Sequence, residues 1–242
     1  MPNLLVEIGN TALKAAWCEG TTLGKTYRYQ GEKTMEYILS ITEKEKPEVL
    51  CVASARDLTE QEEKLLGGEC RHLVVLDRVH TAPLLGYSLP EYLSYDRAAV
   101  LIAARYLFKE KPCSIFDFGT TLTVDFLDAQ GRYCGGMISP GCRTRFKSLG
   151  RYSKSLPVVN TPETVPAIGT SVQSAVEAGV ISGIMFEIEG YIGRYPENIV
   201  IFTGGDAVYF ARQMKYSVFV VPNMVLMGLA IMTEDYVRKH IQ

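Results

Sequence analysis

Two segments of the chain place an acidic residue at the end of an apolar run, followed by a glycine and small polar residues. The segments are 4-LLVEIGNTALKAAW-17 and 117-DFGTTLTVDF-126. Their alignment pairs Glu7 with Asp117 and Gly9 with Gly119. A glycine lets phosphate oxygens approach backbone N–H groups, and a carboxylate tolerates a nearby phosphate when a cation lies between them. The pattern predicts phosphate and cation binding, and its repetition predicts two related lobes; chance similarity of two short segments is the alternative.

A third turn, 203-TGGD-206, lies between an apolar run and a helical pattern. Its backbone at Gly204 and Gly205 could receive an adenine, a ribose or a phosphate. The alternative is a strand-to-helix turn that needs glycine for its geometry alone. Neither G-x-x-x-x-G-K-[ST] nor G-x-G-x-x-G occurs in the chain, which excludes a Walker-type site and the dinucleotide-binding fingerprint.

The composition narrows the class of protein. The chain has 242 residues, 47% of them hydrophobic, and a formal net charge of −2. Nucleic acid and anionic membranes both require clustered Lys or Arg, so neither is an expected partner. The most apolar run, 218–232, contains Pro222 and Asn223 and is too short to span a bilayer. Six cysteines without a C-x-x-C pair indicate reduced thiols, and we expect a cytoplasmic protein without a signal peptide.

The apolar periodicity predicts alternating strands and helices. In the first half, strands are expected at 4–8, 13–18, 48–54 and 72–76, and helices at 33–46, 58–66 and 97–108. In the second half, strands are expected at 113–119, at 121–127, in a short segment ending at Gly135–Gly136, at the start of 198–214 and at 217–221. Helices are expected at 141–149, at 170–193, late in 198–214 and from Met224. Each half opens with a hairpin, so we expect an α/β fold with lobes 1–112 and 113–242.

Motifs along nearly the whole chain resemble those of the type III pantothenate kinases, a family of the acetate and sugar kinase, Hsp70 and actin superfamily. The matching segments are 7-EIGNT-11, then Tyr87 and Pro90 with Asp96 and Arg97, 117-DFGT-120, 135-GGMISPG-141, Leu156–Pro157 and the late T-G-G. The resemblance implies two related ribonuclease H-like lobes with a nucleotide cleft between them, the actin-like ATPase fold. It also implies transfer of the γ-phosphate of ATP to pantothenate, which gives 4'-phosphopantothenate in the first step of coenzyme A biosynthesis.

The resemblance further implies the cofactors and the site residues. The cofactors are ATP, Mg²⁺ and a monovalent cation, K⁺ or NH₄⁺, and the expected assembly is a homodimer. The implied ATP-binding residues are Glu7, Ile8, Gly9, Asn10, Thr11, Ala12, Leu13, Lys14, Thr120, Gly204 and Gly205. The implied pantothenate-binding residues are Tyr87, Ser94, Tyr95, Asp96 and Arg97. Asp96 is the implied catalytic base, and Asp117 is the implied ligand of the monovalent cation. The residues alone leave two alternatives: an Asp-Arg pair can cap a helix, and Tyr87 can simply pack a loop.

Three positions depart from the family pattern. Glu7 stands where the family has Asp, Ser94 where it has Gly, and Val172 where it has a Thr that contacts substrate. Thr170 or Ser171 could supply the missing hydroxyl. These departures keep two further functions open: a catalytically weakened relative that acts as a regulatory or binding protein, and a kinase for another small hydroxyl compound.

Overall fold

The computed structural model describes residues 2–241 and divides into two compact units. The chain up to Leu107, together with the segment from Asn223 onward, forms the first lobe, and Phe108–Pro222 forms the second. This division differs from the expected boundaries, 1–112 and 113–242, because the C-terminal helix packs on elements of the first lobe.

The elements alternate along the chain much as the periodicity predicted. The strands are β1 Asn3–Ile8, β2 Leu13–Glu19, β3 Thr22–Tyr29, β4 Val49–Ser54, β5 His72–Leu76, β6 Cys113–Phe118, β7 Thr121–Leu127, β8 Tyr133–Pro140, β9 Ile199–Gly204 and β10 Phe219–Val220. The helices are α1 Thr34–Thr42, α2 Glu60–Gly67, α3 Tyr95–Leu107, α4 Cys142–Tyr152, α5 Val172–Arg194, α6 Ala207–Ala211 and α7 Met224–His240, with a 3-10 turn at Ala82–Leu84.

Both lobes contain a five-stranded mixed sheet with the same strand order. The first sheet runs β3-β2-β1-β4-β5 and the second runs β8-β7-β6-β9-β10. In each sheet the first three strands are antiparallel and the last three are parallel, so β6 repeats the position of β1. The prediction of two related α/β lobes is confirmed, and the Glu7 and Asp117 segments occupy equivalent hairpins.

The central strands are buried on both faces, which fixes the strand ends that carry the acidic residues. All six residues of β1 and all six of β4 are buried. In the second lobe, Phe116, Phe202 and Phe210 are completely buried in one aromatic core. Rigid strands of this kind hold their terminal side chains in defined positions.

Helices α3 and α7 pack at backbone contact in the first lobe. A Cβ atom on Gly228 would lie closer than 3.0 Å to the carbonyl oxygen and the Cα of Ala99. Only a residue without a side chain permits this approach. The contact determines how α7 lies against α3, whose first turn carries Asp96.

Four of the differences from the sequence-based expectation have a physical reason in the structure. Helix α1 ends at Thr42 rather than at residue 46, because residues 43–46 are exposed and have no apolar side chain to bury. Helix α3 begins two residues early, at Tyr95, whose side chain is buried. Strand β8 continues to Pro140 through Gly135, which has a φ of 120° beside a register shift, so the glycines mark a bulge and not a strand end. Strand β3 was missed because most of its residues are exposed.

No helix within residues 2–241 combines the length and the apolar character that a bilayer span requires.

Candidate active site

The β1–β2 hairpin of the first lobe carries residues 7–14, the segment expected to bind ATP. The turn is tight: the backbone N–H of Gly9 donates to the carbonyl oxygen of Ala12 at 3.1 Å. A Cβ on Gly9 would lie 3.1 Å from that same oxygen, so a larger residue would push the turn open. Asn10 and Thr11 are exposed at its tip.

Glu7 is buried near a cationic side chain, that of Lys14, and an anionic one, that of Asp96. It lies opposite Lys14 in the β1–β2 register, and Lys14 Nζ donates to Glu7 Oε2 at 3.3 Å. Burial raises the pKa of Glu7; Lys14 acts in the opposite direction, and the charge of Asp96 raises the pKa further. Because like charges repel, the Glu7 and Asp96 carboxylates together form a site that a cation would stabilise.

The N-terminus of α3 places Asp96 beside this hairpin. The Tyr95 hydroxyl donates to the carbonyl oxygen of Ile8 at 3.4 Å, which ties the first turn of the helix to the end of β1. Asp96 is half-buried, and its Oδ1 accepts the Arg97 backbone N–H at 2.9 Å. The free N–H groups of a helix N-terminus favour a carboxylate in the first turn. The Arg97 side chain is buried, and Ser94 is exposed just before the helix.

Tyr87 is held by α3 and α7. Its hydroxyl donates to Asp235 Oδ2 at 2.6 Å, and its carbonyl oxygen accepts Arg105 Nη1 at 2.5 Å. Burial, followed by the hydrogen bond to Asp235, raises the pKa of Tyr87 above its usual range. The hydroxyl and the backbone of Tyr87 are both engaged within the protein, so its expected contact with substrate would involve the ring. No local pattern in the sequence points to Asp235, since 148 residues separate it from Tyr87.

The second lobe gathers Asp117 and the T-G-G turn at the ends of β6 and β9. Asp117 lies between Thr123 on β7 and Thr203 on β9. Gly204 has a φ of 90°, and a Cβ there would lie closer than 3.0 Å to Asp117 Oδ1 and 2.6 Å from the carbonyl oxygen of Phe118. Two features therefore require a glycine at position 204. Its backbone is left-handed, and the Asp117 carboxylate occupies the space that a side chain would need.

The Thr120 turn is braced by the start of α4. The Gly141 N–H donates to the Thr120 carbonyl oxygen at 3.0 Å, and Thr144 Oγ1 donates to the same oxygen at 2.6 Å. A Cβ on Gly141 would lie closer than 3.0 Å to the Gly119 carbonyl oxygen. The motif 135-GGMISPG-141 pointed to this region, but its bracing of the β6–β7 turn was not predicted.

The candidate residues therefore fall into two groups, one in each lobe. In the first lobe, Tyr95 and Asp96 lie next to the hairpin 7–14. In the second, Asp117 lies with Gly204, and Gly205 is exposed in the same turn. Thr120 belongs to the adjoining hairpin turn.

Comparison with known proteins decides the family. The family model described as type III pantothenate kinase matches residues 3–194. The chain is 34% identical over 232 residues to a type III pantothenate kinase from Bacteroides fragilis, covering 94% of this chain and 95% of that protein. A Flavobacterium psychrophilum protein with the same description is 33% identical over 234 residues, covering 93% of this chain and 96% of that one.

The chain belongs to the type III pantothenate kinase family. Members of a kinase family use ATP, and the fold agrees with this assignment. The activator of 2-hydroxyisocaproyl-CoA dehydratase from Clostridium difficile, solved with bound ADPNP, is similar with a TM-score of 0.58 at 15% identity, covering 99% of this chain and 96% of that one. A ROK hexokinase from Thermus thermophilus is similar with a TM-score of 0.53 at 12% identity, covering 96% and 98%. These two likenesses concern the fold alone.

The third departure from the family pattern lies at a helix start. Val172 is the first residue of α5 and is exposed. The Ser171 hydroxyl caps this helix by accepting the Ser174 N–H at 3.2 Å, and the Thr170 N–H donates to Ser174 Oγ at 3.0 Å. The Ser171 hydroxyl is therefore engaged in the cap, which leaves Thr170 as the better replacement for the absent hydroxyl.

Proposed function

We propose that the protein transfers the γ-phosphate of ATP to the primary hydroxyl of pantothenate. The observation that carries this proposal is the placement of Asp96: the family's acidic residue stands in the first turn of α3, beside the Glu7 hairpin. Phosphoryl transfer depends on positioning and charge neutralisation, and these residues supply both.

Asp96 is the proposed general base. Its carboxylate is half-buried and is oriented by the Arg97 N–H in the first turn of α3, where the helix dipole favours negative charge. It orients the pantothenate hydroxyl and accepts its proton as the oxygen attacks the γ-phosphorus. Arg97 follows it directly and is proposed to stabilise the substrate or the phosphate charge. Ser94 and Tyr95 are proposed to line the same substrate site.

The proposed ATP contacts are those that the family's motifs imply. In the first lobe, the backbone of residues 7–14 and the polar side chains among them bind phosphate, with Lys14 as the cation of the hairpin. In the second lobe, Thr120 and the Gly204–Gly205 turn contact the nucleotide. The left-handed backbone at Gly204 and the exposure of Gly205 support this role, since turns of this conformation present N–H groups to anions.

Two cations complete the proposed site, and the donor atoms fit both. Among residues 2–241, no three His, Cys, Asp or Glu side chains form a metal cluster. Mg²⁺ commonly binds through one or two carboxylates, several waters and substrate phosphates, so the Glu7 carboxylate together with ATP is sufficient, and Asp96 remains free to act as the base. Asp117, between two threonines, offers the oxygen ligands that K⁺ or NH₄⁺ needs. When bound, these ions neutralise the charge of the phosphates.

A substrate panel tests the proposed function. ADP release is measured with ATP, Mg²⁺ and K⁺, with pantothenate and with other small primary alcohols as acceptors. We expect turnover with pantothenate well above that with the other acceptors. Turnover with a different acceptor would instead support a kinase of another specificity, and folded protein inactive with every acceptor would support a regulatory role.

Glu7→Asp is expected to raise turnover. The substitution restores the family's residue, and the shorter side chain withdraws the carboxylate from Lys14, 3.3 Å away, which frees the amine for phosphate. The shorter side chain also suits the strict octahedral geometry that Mg²⁺ requires of its ligands. The measurement is kcat with saturating ATP and pantothenate; Glu36→Asp, at an exposed ion pair with Lys33 in the same lobe, is the control. An unchanged or lower kcat in Glu7→Asp would count against this account.

We also propose a homodimer. Val172, Ala175, Gly179 and Phe186 are all exposed on α5, and their spacing of 3, 4 and 7 residues places them on one helix face. An exposed apolar face of this kind commonly marks a protein interface. Sedimentation is expected to give twice the chain mass of 26.9 kDa, and Phe186→Glu is expected to weaken the association. A stable, fully active monomer would refute it.

The cytoplasm is the proposed location. All six cysteines are free thiols, four of them buried, which suits a reducing compartment. ATP and Mg²⁺ are both available there. Labelling of the intact protein with a thiol reagent after denaturation is expected to modify all six cysteines.

A further inference from the structure

The segment between β5 and α3, residues 79–94, has little regular structure of its own and is named the substrate loop here. It contains one 3-10 turn, and Val79, Leu85 and Tyr92 are exposed by 69–70%. Ser88 has a φ of 51°, which is uncommon for a residue other than glycine. A loop with so few buried contacts needs specific anchors to hold one conformation.

Tyr87 provides that anchor through three of its groups. Its N–H donates to the Leu84 carbonyl oxygen at 3.1 Å, its carbonyl oxygen accepts Arg105 Nη1 at 2.5 Å, and its hydroxyl donates to Asp235 Oδ2 at 2.6 Å. Arg105 belongs to α3 and Asp235 to α7. One residue of the loop is therefore attached to both helices.

The position of Asp235 is fixed by the packing of α7. Gly228 lies seven residues before it, two helical turns away on the same face, and makes the backbone contact with Ala99 of α3. Asp96 lies in the first turn of the same α3. The Asp235 carboxylate is thus held at a fixed position relative to the helix that carries the proposed base. Through its hydrogen bond to Asp235, the Tyr87 side chain is held there as well.

We propose that Asp235 is a positioning residue for pantothenate: its carboxylate fixes Tyr87, and with it the substrate loop, relative to Asp96. This inference rests on the proposed function. Within residues 2–241, the hydrogen bond of the Asp235 side chain goes to Tyr87 and not to the hairpin 7–14. Its removal affects the acceptor substrate and leaves ATP binding intact.

The kinetic test compares four variants with the wild type: Asp235→Ala, Asp235→Asn, Tyr87→Phe and the double variant Asp235→Ala/Tyr87→Phe. Loss of the charged hydrogen bond is expected to raise the KM for pantothenate about tenfold in Asp235→Ala. The KM for ATP stays unchanged. Asp235→Asn keeps an acceptor oxygen and stays within about threefold of the wild type. The double variant equals the worse single variant, because both remove one interaction.

A structural measurement accompanies the kinetics. Hydrogen exchange of the backbone amides in 79–94 is expected to accelerate in Asp235→Ala and Tyr87→Phe, with the exchange of β1 and β4 unchanged. The proposal is overturned if loop exchange equals that of the wild type, if the KM values for ATP and pantothenate rise together, or if the two single effects add in the double variant.

The exchange measurement requires no turnover, so it separates two kinds of failure. A wild type that does not phosphorylate pantothenate refutes the proposed function, and the exchange data then decide whether Asp235 fixes the loop. An active wild type with unaltered KM for pantothenate in Asp235→Ala refutes the positioning role alone.

Discussion

Asp96→Asn is expected to lower kcat with pantothenate about 10³-fold, within the range that general base catalysis supplies. The substitution keeps the size of the side chain. It also keeps an oxygen that can accept the Arg97 N–H, which lies 2.9 Å from Asp96 Oδ1 in the wild type. It removes the charge that orients the hydroxyl and receives its proton. Circular dichroism and the melting temperature therefore stay close to those of the wild type, and the KM for ATP changes little.

The control for this prediction is Asp57→Asn, in the same lobe. Asp57 forms a surface ion pair with Arg78, and pairs of this kind contribute little to stability. Its kcat is expected to equal that of the wild type. A second consequence concerns Glu7, because the charge of Asp96 is one cause of its raised pKa. The pKa of Glu7 falls in Asp96→Asn, which NMR titration can detect. An Asp96→Asn enzyme with near-normal kcat would remove Asp96 as the base.

Gly204→Ala is expected to destabilise the second lobe by about 3 kcal/mol and to lower kcat/KM for ATP about 100-fold. The added Cβ would lie closer than 3.0 Å to Asp117 Oδ1, on a residue whose φ is 90°. The Asp117 carboxylate must move, and the proposed cation ligand moves with it. Chemical denaturation measures the stability, and initial rates at varied ATP measure the catalytic loss.

Gly193→Ala is the matched control in the same lobe. A Cβ at Gly193, near the end of α5, would meet nothing within 4 Å, and alanine favours helix. Its stability is expected to equal or slightly exceed that of the wild type. If Gly204→Ala were as stable and as active as Gly193→Ala, the account of Gly204 as a residue required by the Asp117 site would be wrong.

The sequence predicted most of the fold because the central strands carry strong local signals. The apolar runs of β1 and β4 are buried on both faces, and they appear in the sequence without interruption. Thr59 and Glu62 form a reciprocal capping box at the start of α2, which is a local signal of the same kind. The edge strand β3 was missed because exposed strands carry no such apolar pattern.

The site was predictable in its local parts and not in its long-range contacts. The hairpin containing Glu7 and the turn containing Gly204 are contiguous motifs, which a linear reading can find. The contact of Tyr87 with Asp235 joins positions 148 residues apart and depends on α7 returning to the first lobe. Nothing local in the sequence encodes that return, because it depends on tertiary packing at Gly228.

Transfer of labelled phosphate is the most direct test of the central claim. The purified protein is incubated with γ-labelled ATP, Mg²⁺ and pantothenate, with K⁺, NH₄⁺ or Na⁺ as the only monovalent cation, and the product is identified by mass. The account predicts labelled phosphopantothenate with K⁺ or NH₄⁺, much less with Na⁺, and formation about 10³-fold slower with Asp96→Asn. Folded wild-type protein that yields no labelled phosphopantothenate with any of the three cations would contradict it.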